Sequence, residues 1–410
     1  VSDENADDAT ADEVFFREWE NRRPGERRSL TRARALADAL GLAPSRPVLT
    51  VVGSKGKGTA ATFASAVLSA AGLRVCTVTS PALRGNRDRV RVDGRSISAT
   101  GLAALADRLR RAVDALPPPT DGYLSPSGLF ILAGVLHARD TADVIVLEAG
   151  MGGRSDEVSL FPPTVAAITP IFREHIGVLG DTVAEIAREK LGVVTSETRA
   201  VLSAPQTPTV EDAFAGPTPI DVVESSGVPA ELLPPGLGRA SAELGIAAAR
   251  RLLELEDVPA CPPERLHAVL SSISLPGRLS WHRVPGTSTQ VLADSAIDRV
   301  GIAAALSTAM TRWGRVDHAV VCLPDHKDLE GAVTELGDVP VTYVRLPQTH
   351  LRFTHPLPSH WRTVDSANLT PESLAALGDH VVALGTVYFV AEVLDLVDAD
   401  TSRLFTPPAP

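Results

Sequence analysis

Cysteine is scarce: three residues in 410, Cys76, Cys261 and Cys322, widely spaced and outside any CxxC or Cys/His cluster. That excludes a disulfide framework and a zinc site of the usual spacing, leaving three small hydrophobes suited to a reducing compartment. Long apolar runs are missing as well. Stretches such as LFILAGVLHA (129–138) reach about half of the ~20 residues a membrane-spanning helix requires, so no membrane segment is expected. Positive charge is in deficit, with 39 Lys and Arg against 50 Asp and Glu and a net charge of −11. A general nucleic-acid binder is thereby excluded, although a local basic pocket is not. The opening VSDENADDATADE is acidic where a secretory signal is basic and then apolar. It reads as a short disordered tip on a cytoplasmic protein.

What is present is an alternation of strands and helices. VLTVV (48–52) is a short β-branched run, TAATFASAVLSAAG a helix closed by Gly72, and LRVCTVTS a second strand. The helix pattern ATGLAALADRLRRAVDAL follows, then the apolar strands ADVIVLEAG and TVAAITPI, with Asp181 as the expected N-cap of TVAEIAREKLGVV. Residues 195–238, rich in Pro, Gly and Ser, read as irregular connections around one short strand, AVLSA, before the helix SAELGIAAARRLLEL. Continuous apolar strands separated by helices predict an α/β fold with a mostly parallel sheet covered on both faces. After LPGR (275–278) the alternation starts afresh, and at 410 residues the chain exceeds the size of a single core. Two domains are expected, 1–278 and 279–410.

Residues 51–72, VVGSKGKGTAATFASAVLSAAG, crowd three glycines, 53, 56 and 58, around the start of a helix. After a strand and ahead of a helix, glycines let backbone N–H groups converge on one concavity, and the helix N-terminus adds partial positive charge. Gly53, Ser54, Lys55, Gly56, Lys57, Gly58 and Thr59 are therefore the candidate phosphate-binding residues. Lys57 would reach the β and γ phosphates of ATP, and Thr59 would lie near magnesium. The spacing departs from GxxxxGK[ST], because the first glycine would fall at Val51 and Gly58 separates Lys57 from Thr59. The bland alternative is a Gly-rich strand-to-helix turn.

The spacing found, G-x-x-G-K-G-T, resembles the phosphate loop of the Mur ligase superfamily, in its folylpolyglutamate synthase and dihydrofolate synthase branch. TSPAL (79–83), RDRVRVDGRSIS, VLEAGMGGRSD and ITPIFREHIGVLGDTVAEIAREKLGVV resemble successive blocks of that branch, and PGR, LPDHKD and ALGTVYFVAEVLDL resemble its later ones. The resemblance implies a P-loop domain followed by a smaller Rossmann-like C-terminal domain. It also implies an ATP-dependent, ADP-forming ligase that activates a carboxylate as an acyl phosphate for attack by an amine, such as that of an amino acid. Small-molecule substrates and a monomer are expected, with neither nucleic acid nor membrane as partner. Ser80, Glu148 and His175 fall where the family holds magnesium, although magnesium prefers oxygen and His175 rests on the resemblance alone. Lys57, His175 and Lys190 take the catalytic positions, and Arg278 and Asp294 the phosphate and domain-junction ones. Lys190 matches a lysine that is often carbamylated in the superfamily, where it ligates a second magnesium ion. Without the surrounding blocks, Glu148 would read as a capping or salt-bridged carboxylate, His175 as a core histidine, and Lys190 as an exposed helix-surface partner of the neighbours of Ile186 or of nearby Glu185 and Glu189.

Several positions depart from the family pattern. Its D-G-A-H-N stands here as DSAID, with Ile297 and Asp298 in the last two places, and its H-Q-x-x-N as ASAEL (240–244). Its T-N pair is Val158-Ser159, and an aromatic-acidic pair is Pro126-Ser127. The DSAID and ASAEL changes erode the family's nucleotide contacts, whereas the last two fall near the acceptor pocket and point to a carboxylate other than folate. A true dihydrofolate or folylpolyglutamate synthase is the sibling reading, and a non-catalytic nucleotide- or partner-binding homologue a third.

Overall fold

A computed structural model describes residues 2–43, 45–215, 218–349 and 351–408. The chain divides into two compact units, Val1–Ile273 with Ser402–Pro410, and Ser274–Thr401. The first holds the strands β1 (Val48–Val52), β2 (Val75–Val78), β3 (Val90–Val92), β4 (Arg95–Ser96), β5 (Val144–Glu148), β6 (Val165–Ile168), β7 (Ala200–Ser203) and β8 (Asp221–Val222). They form one sheet in the order β4-β3-β2-β5-β1-β6-β7-β8. From β2 to β8 all neighbours run parallel, and β3 and β4 add an antiparallel edge.

Every residue of β1, β2, β5 and β6 is buried, as a sheet covered on both faces demands. Val48, Val52, Ile145 and Leu147 share a core with the helix Pro126–Thr141 and with Phe15. The intervening Leu49, Val51 and Val146 are equally buried. They point to the opposite face, where the helices Lys57–Ala70 and Gly238–Leu255 pack on the sheet.

Two local expectations are corrected. The acidic N-terminus is a helix, Ser2–Glu20, rather than a disordered tip. Ala11 and Phe15 are wholly buried on it, and the Phe15 ring stacks on Phe130 with centroids 3.9 Å apart. Two well-placed apolar residues outweigh the acidic composition around them. The helix after β6 begins at Val183 with Thr182, not Asp181, as its N-cap: Thr182 accepts from the Glu185 amide while the Glu185 carboxylate accepts from the Thr182 amide. That reciprocal pair satisfies two amides, where Asp181 alone would satisfy one.

The second unit carries β9 (Ser280–Arg283), β10 (Gln290–Asp294), β11 (His318–Cys322), β12 (Val341–Arg345), β13 (Arg362–Asp365) and β14 (His380–Gly385), in the order β13-β12-β11-β14-β10-β9. Only the edge strand β9 is antiparallel. Val291, Ala293, Val381 and Ala383 enter one core, and their neighbours Leu292, Val382 and Leu384 the other, which is the period of two that places helices on both faces. Beyond Thr401 the chain returns to the first unit, where the Ser96 amide donates to the Ser402 carbonyl at 2.8 Å and the Leu404 amide to the Gly94 carbonyl at 2.9 Å. The fold is α/β with two mostly parallel sheets.

Candidate active site

The glycine loop lies between β1 and the helix Lys57–Ala70. Gly53 has φ of +136° and Gly56, the N-cap, +81°, both in territory that side chains rarely enter. Space is the second constraint. A Cβ on Gly53 would lie 2.0 Å from Thr169 Oγ1 and 2.7 Å from the Thr169 carbonyl oxygen, and one on Gly56 would lie 2.0 Å from Ser241 Oγ. The helix Gly238–Leu255 presses this closely because Gly245 would meet the Ala60 carbonyl at 2.2 Å with any larger side chain. An Ala-rich helix after the loop is what such an approach requires. No side chain caps the Lys57–Ala70 helix, so its N-terminus offers first-turn amides and partial positive charge to an anion. Thr59 is buried in that first turn.

Lysines converge on the loop from two directions. Lys57 Nζ donates to the carbonyls of Gly53 (3.2 Å) and Ser54 (3.3 Å). Lys190 is not the exposed helix-surface partner of the bland reading: it is 1% exposed, and its Nζ lies 2.7 Å from the Gly53 carbonyl and 2.7 Å from Glu174 Oε1. Burial lowers the Lys190 pKa, with Glu174 opposing and Lys57 reinforcing. For Glu174 burial pushes upward, but the charges of Lys190 and Lys57 outweigh it and hold the carboxyl below its ordinary range. Ser54 accepts from the Phe172 amide at 3.2 Å through its hydroxyl and donates to the Pro170 carbonyl at 3.1 Å through its own amide, joining the loop to the chain after β6. Lys55 Nζ stands 5.6 Å from the centre of the Phe172 ring.

Ser80, Glu148 and His175 lie at or beyond the carboxyl ends of β2, β5 and β6, where ligands of such sheets bind. Glu148 is 5% exposed, and its Oε2 accepts from the Ser80 amide at 3.0 Å. A Cβ on Gly58 would be 3.4 Å from the same oxygen, so the carboxylate adjoins the first turn of the loop helix. The Ser80 hydroxyl accepts from Arg89 Nη1 at 3.2 Å, and Arg89 lies over the Phe130 ring at 4.8 Å. His175, at φ +46°, is half exposed and faces Glu174, with Nε2 4.0 Å from Oε2. Ser80 and Glu148 are thus brought together beside Gly58, while the His175 ring is placed by the Glu174–Lys190 pair. Among the described residues no group of three His, Cys, Asp or Glu side chains is arranged to hold a metal.

Past β5, GGRSD turns into a second polar cluster. Arg28 Nη1 meets Asp156 at 3.1 Å and Glu157 at 3.4 Å, while the Ser125 hydroxyl donates to Glu157 at 2.7 Å. Glu157 is 1% exposed, and burial together with the Asp156 charge pushes its carboxyl up to about 7 against the opposing charge of Arg28. The ASAEL segment sits inside the helix Gly238–Leu255. Its Ser241 fills the space behind Gly56, and its Glu243 accepts from the Ser226 amide at 2.6 Å.

Arg278 and Asp294 belong to the second unit. Asp294 ends β10 and accepts from the Leu279 amide at 2.7 Å, pinning the residue after Arg278 at φ +48°. The Arg278 guanidinium donates through Nη1 to the Gly277 carbonyl at 3.5 Å. Asp298 caps the helix Arg299–Trp313 by accepting from the Gly301 amide at 2.9 Å.

Sequence reasoning did not single out Glu174, Arg89, Thr169, Ser241 or the Arg28–Asp156–Glu157 group. A signal existed for Glu174, which occupies the acidic place of the D-H pair in the resembled block, beside His175. For Thr169 and Ser241 none existed, because their part is to be small and close.

No family model matches the chain. A probable bifunctional folylpolyglutamate synthase/dihydropteroate synthase of Haloferax volcanii is 31% identical over 391 residues, covering 83% of this chain and 45% of that protein. A dihydrofolate synthase/folylpolyglutamate synthase of Escherichia coli is 33% identical over 180 residues, 44% of this chain and 42% of the relative. The matches span less than half the length of these curated relatives. The folylpolyglutamate synthase of Mycobacterium tuberculosis, solved in complex with ADP, superposes with a TM-score of 0.79 at 22% identity, over 97% of this chain and 99% of that one. These similarities do not support the expectation of a non-folate carboxylate; they favour the sibling reading of a folate-type synthase. Sequence likeness along most of its length and a fold shared over nearly all of it place the chain in the Mur ligase-like folylpolyglutamate synthase superfamily.

Proposed function

We propose that this protein is an ATP-dependent, ADP-forming ligase of the folylpolyglutamate synthase/dihydrofolate synthase type, joining the amine of glutamate to the carboxylate of a pteroate or folate. The observation that carries the reading is the glycine loop: Gly53 and Gly56 at positive φ, Lys57 at the mouth of an uncapped helix, and Glu148 against its first turn. In the reaction the acceptor carboxylate oxygen takes the γ-phosphoryl group and ADP leaves; the amine then attacks the acyl carbon, phosphate departs and the amine proton passes to solvent. No enzyme nucleophile is needed. Charge neutralisation and alignment supply the catalysis. Lys57 leaves the Gly53 and Ser54 carbonyls for the phosphates, and the first-turn amides hold their oxygens.

Magnesium fits the donors at hand. The buried Glu148 carboxylate and the Ser80 hydroxyl are hard oxygen ligands, with His175 the third group that the resemblance implies. Bound there, the ion would neutralise phosphate charge, while Arg89 keeps the Ser80 hydroxyl oriented. Arg278 and Asp294 are assigned to phosphate and domain-junction contacts on the resemblance. The enzyme acts in the cytoplasm, where ATP is supplied, as a monomer on small-molecule substrates.

The test is incubation with ATP, magnesium and glutamate plus either dihydropteroate or a reduced folate, measuring ADP and product mass. The expected result is ADP in step with a product heavier by one glutamyl residue, lost in Lys57→Met. ADP release with neither acceptor, or AMP in place of ADP, would overturn the reading.

A further inference from the structure

Three residues on one face of the acidic N-terminal helix, Asp8, Asp12 and Phe15, follow the i, i+4, i+7 spacing of a helical stripe. Asp8 and Asp12 reach the short turn Asn86–Arg89, and Phe15 reaches the ring on which Arg89 lies. Asp8 pairs with Arg87 Nε at 3.2 Å. Asp12 Oδ1 accepts from the Asn86 side-chain amide at 2.7 Å, and Asn86 Oδ1 accepts from Arg89 Nε at 2.8 Å. Phe15 stacks within 5° of parallel on Phe130, whose ring centre is 4.8 Å from the Arg89 guanidinium. A polar route and an aromatic route thus leave one helix and end on one guanidinium. That guanidinium donates through Nη1 to Ser80 Oγ at 3.2 Å, while the Arg89 carbonyl accepts from the Thr79 amide at 2.9 Å.

We propose that the N-terminal helix braces the magnesium side of the site: through Asp12–Asn86 and Phe15–Phe130 it fixes Arg89, and Arg89 fixes the Ser80 hydroxyl for the ion. The inference rests on the ligase reading above and deepens it. An amide has two unlike ends. The Asp12 carboxylate accepts and so selects the NH2 of Asn86, which turns the Asn86 oxygen toward a guanidinium that only donates. Without Asp12 the amide can rotate and set its NH2 against Arg89. The Ser80 hydroxyl oxygen has two lone pairs, of which the Arg89 N–H takes one and leaves the other for a metal. Released from Arg89, the Ser80 side chain has three staggered wells to choose among. Charge gives the acidic face a second use, because Asp12 offsets the Arg89 cation that would otherwise stand alone beside a divalent ion. Asp12, Asn86 and Phe15 are positioning residues that act through Arg89.

Two measurements on the full-length protein test the brace. The first is calorimetric titration with ADP, with and without magnesium, reading the gain in affinity that magnesium confers. Asp12→Ala should cut that gain by about threefold, the number of Ser80 rotamers released. Asp12→Asn, which keeps an acceptor for Asn86, should recover most of it. Arg17→Ala, which breaks the contact of the same helix with Asp114, should leave the gain unchanged. In a Ser80→Ala background Asp12→Ala should cost nothing more. The second measurement is hydrogen exchange of the metal-free protein, where Asp12→Ala should speed residues 79–90 by about tenfold, the factor carried by one hydrogen bond to a charged group. An unchanged magnesium gain in Asp12→Ala, an equal loss in Arg17→Ala, a further loss on top of Ser80→Ala, or unaltered exchange at 79–90 would overturn the brace. Failure of the wild type to bind ADP in the presence of magnesium would instead overturn the ligase reading, and the exchange result would still decide whether the helix holds the turn.

Discussion

The loop glycines Gly53 and Gly56 should respond differently to the same added methyl group. Gly56→Ala places Cβ 2.0 Å from Ser241 Oγ and 2.8 Å from Ser241 Cβ, both side-chain atoms. Gly53→Ala meets Thr169 Oγ1 at 2.0 Å but also the backbone carbonyl oxygen of Thr169 at 2.7 Å. Thr169 follows β6 directly, its amide bonded to the Val52 carbonyl at 2.9 Å, so that oxygen has nowhere to go. Left-handed backbone costs a non-glycine residue roughly 1–2 kcal/mol. Overpacking adds about 1–3 kcal/mol. Each alanine should therefore lose roughly 2–5 kcal/mol, with Gly53→Ala toward the upper end.

The decisive comparison is rescue. Ser241→Gly removes both atoms that obstruct Gly56→Ala, so the pair should couple favourably by about 1–3 kcal/mol, the ~1 kcal/mol cost of glycine inside a helix cancelling within the cycle. Thr169→Ala removes only the hydroxyl, so Gly53→Ala should stay destabilised. Urea unfolding followed by circular dichroism gives the seven stabilities that make up the two cycles, and ADP titration gives the same order for the loop's function. Rescue of Gly53→Ala by Thr169→Ala as complete as that of Gly56→Ala by Ser241→Gly would refute the claim that backbone contact with β6 fixes the loop.

Glu157 gives a pH signature. Its carboxyl is raised from 4.5 to about 7, so between these values the folded protein binds the extra proton and the unfolded chain does not. That contribution to stability is fully present below 4.5 and is lost as the pH rises through 7. Glu157→Gln should flatten the fall, and urea midpoints at pH 5 and 8 that shift equally in both proteins would contradict the assignment. At the metal pair, Glu148→Gln keeps the acceptor for the Ser80 amide but removes the negative charge. It should raise the magnesium concentration needed for half-maximal turnover by on the order of tenfold, as loss of one ion contact of about 1.4 kcal/mol predicts. An unchanged magnesium titration would exclude Glu148 as a ligand.

The loop was legible because its glycines are demanded by local backbone geometry, which sequence carries directly. The parallel sheet was legible for a similar reason, since β-branched runs such as 144–148 have only one comfortable environment. Lys190 was harder. Nothing within a helical turn of it explains its burial, which arises when the GGR turn closes over the end of its helix and Glu174 arrives from the loop after β6. The N-terminal helix was misread because composition averages thirteen residues, whereas its docking turns on Ala11 and on Phe15 just beyond them. ASAEL looked like an eroded nucleotide motif; its serine is the size that lets Gly56 approach, a role set by shape.

The return of the final residues to the first unit makes the second an insertion, entered after Ile273 and left before Ser402. Arg403 bridges to Arg95 beside β4, Phe405 lies against Gly94, and the Thr406 amide donates to Ser272 Oγ at 2.8 Å. A knife placed after residue 273 would therefore sever the first unit from its own last piece. An autonomous nucleotide-binding half would need 402–408 spliced back on through a short linker.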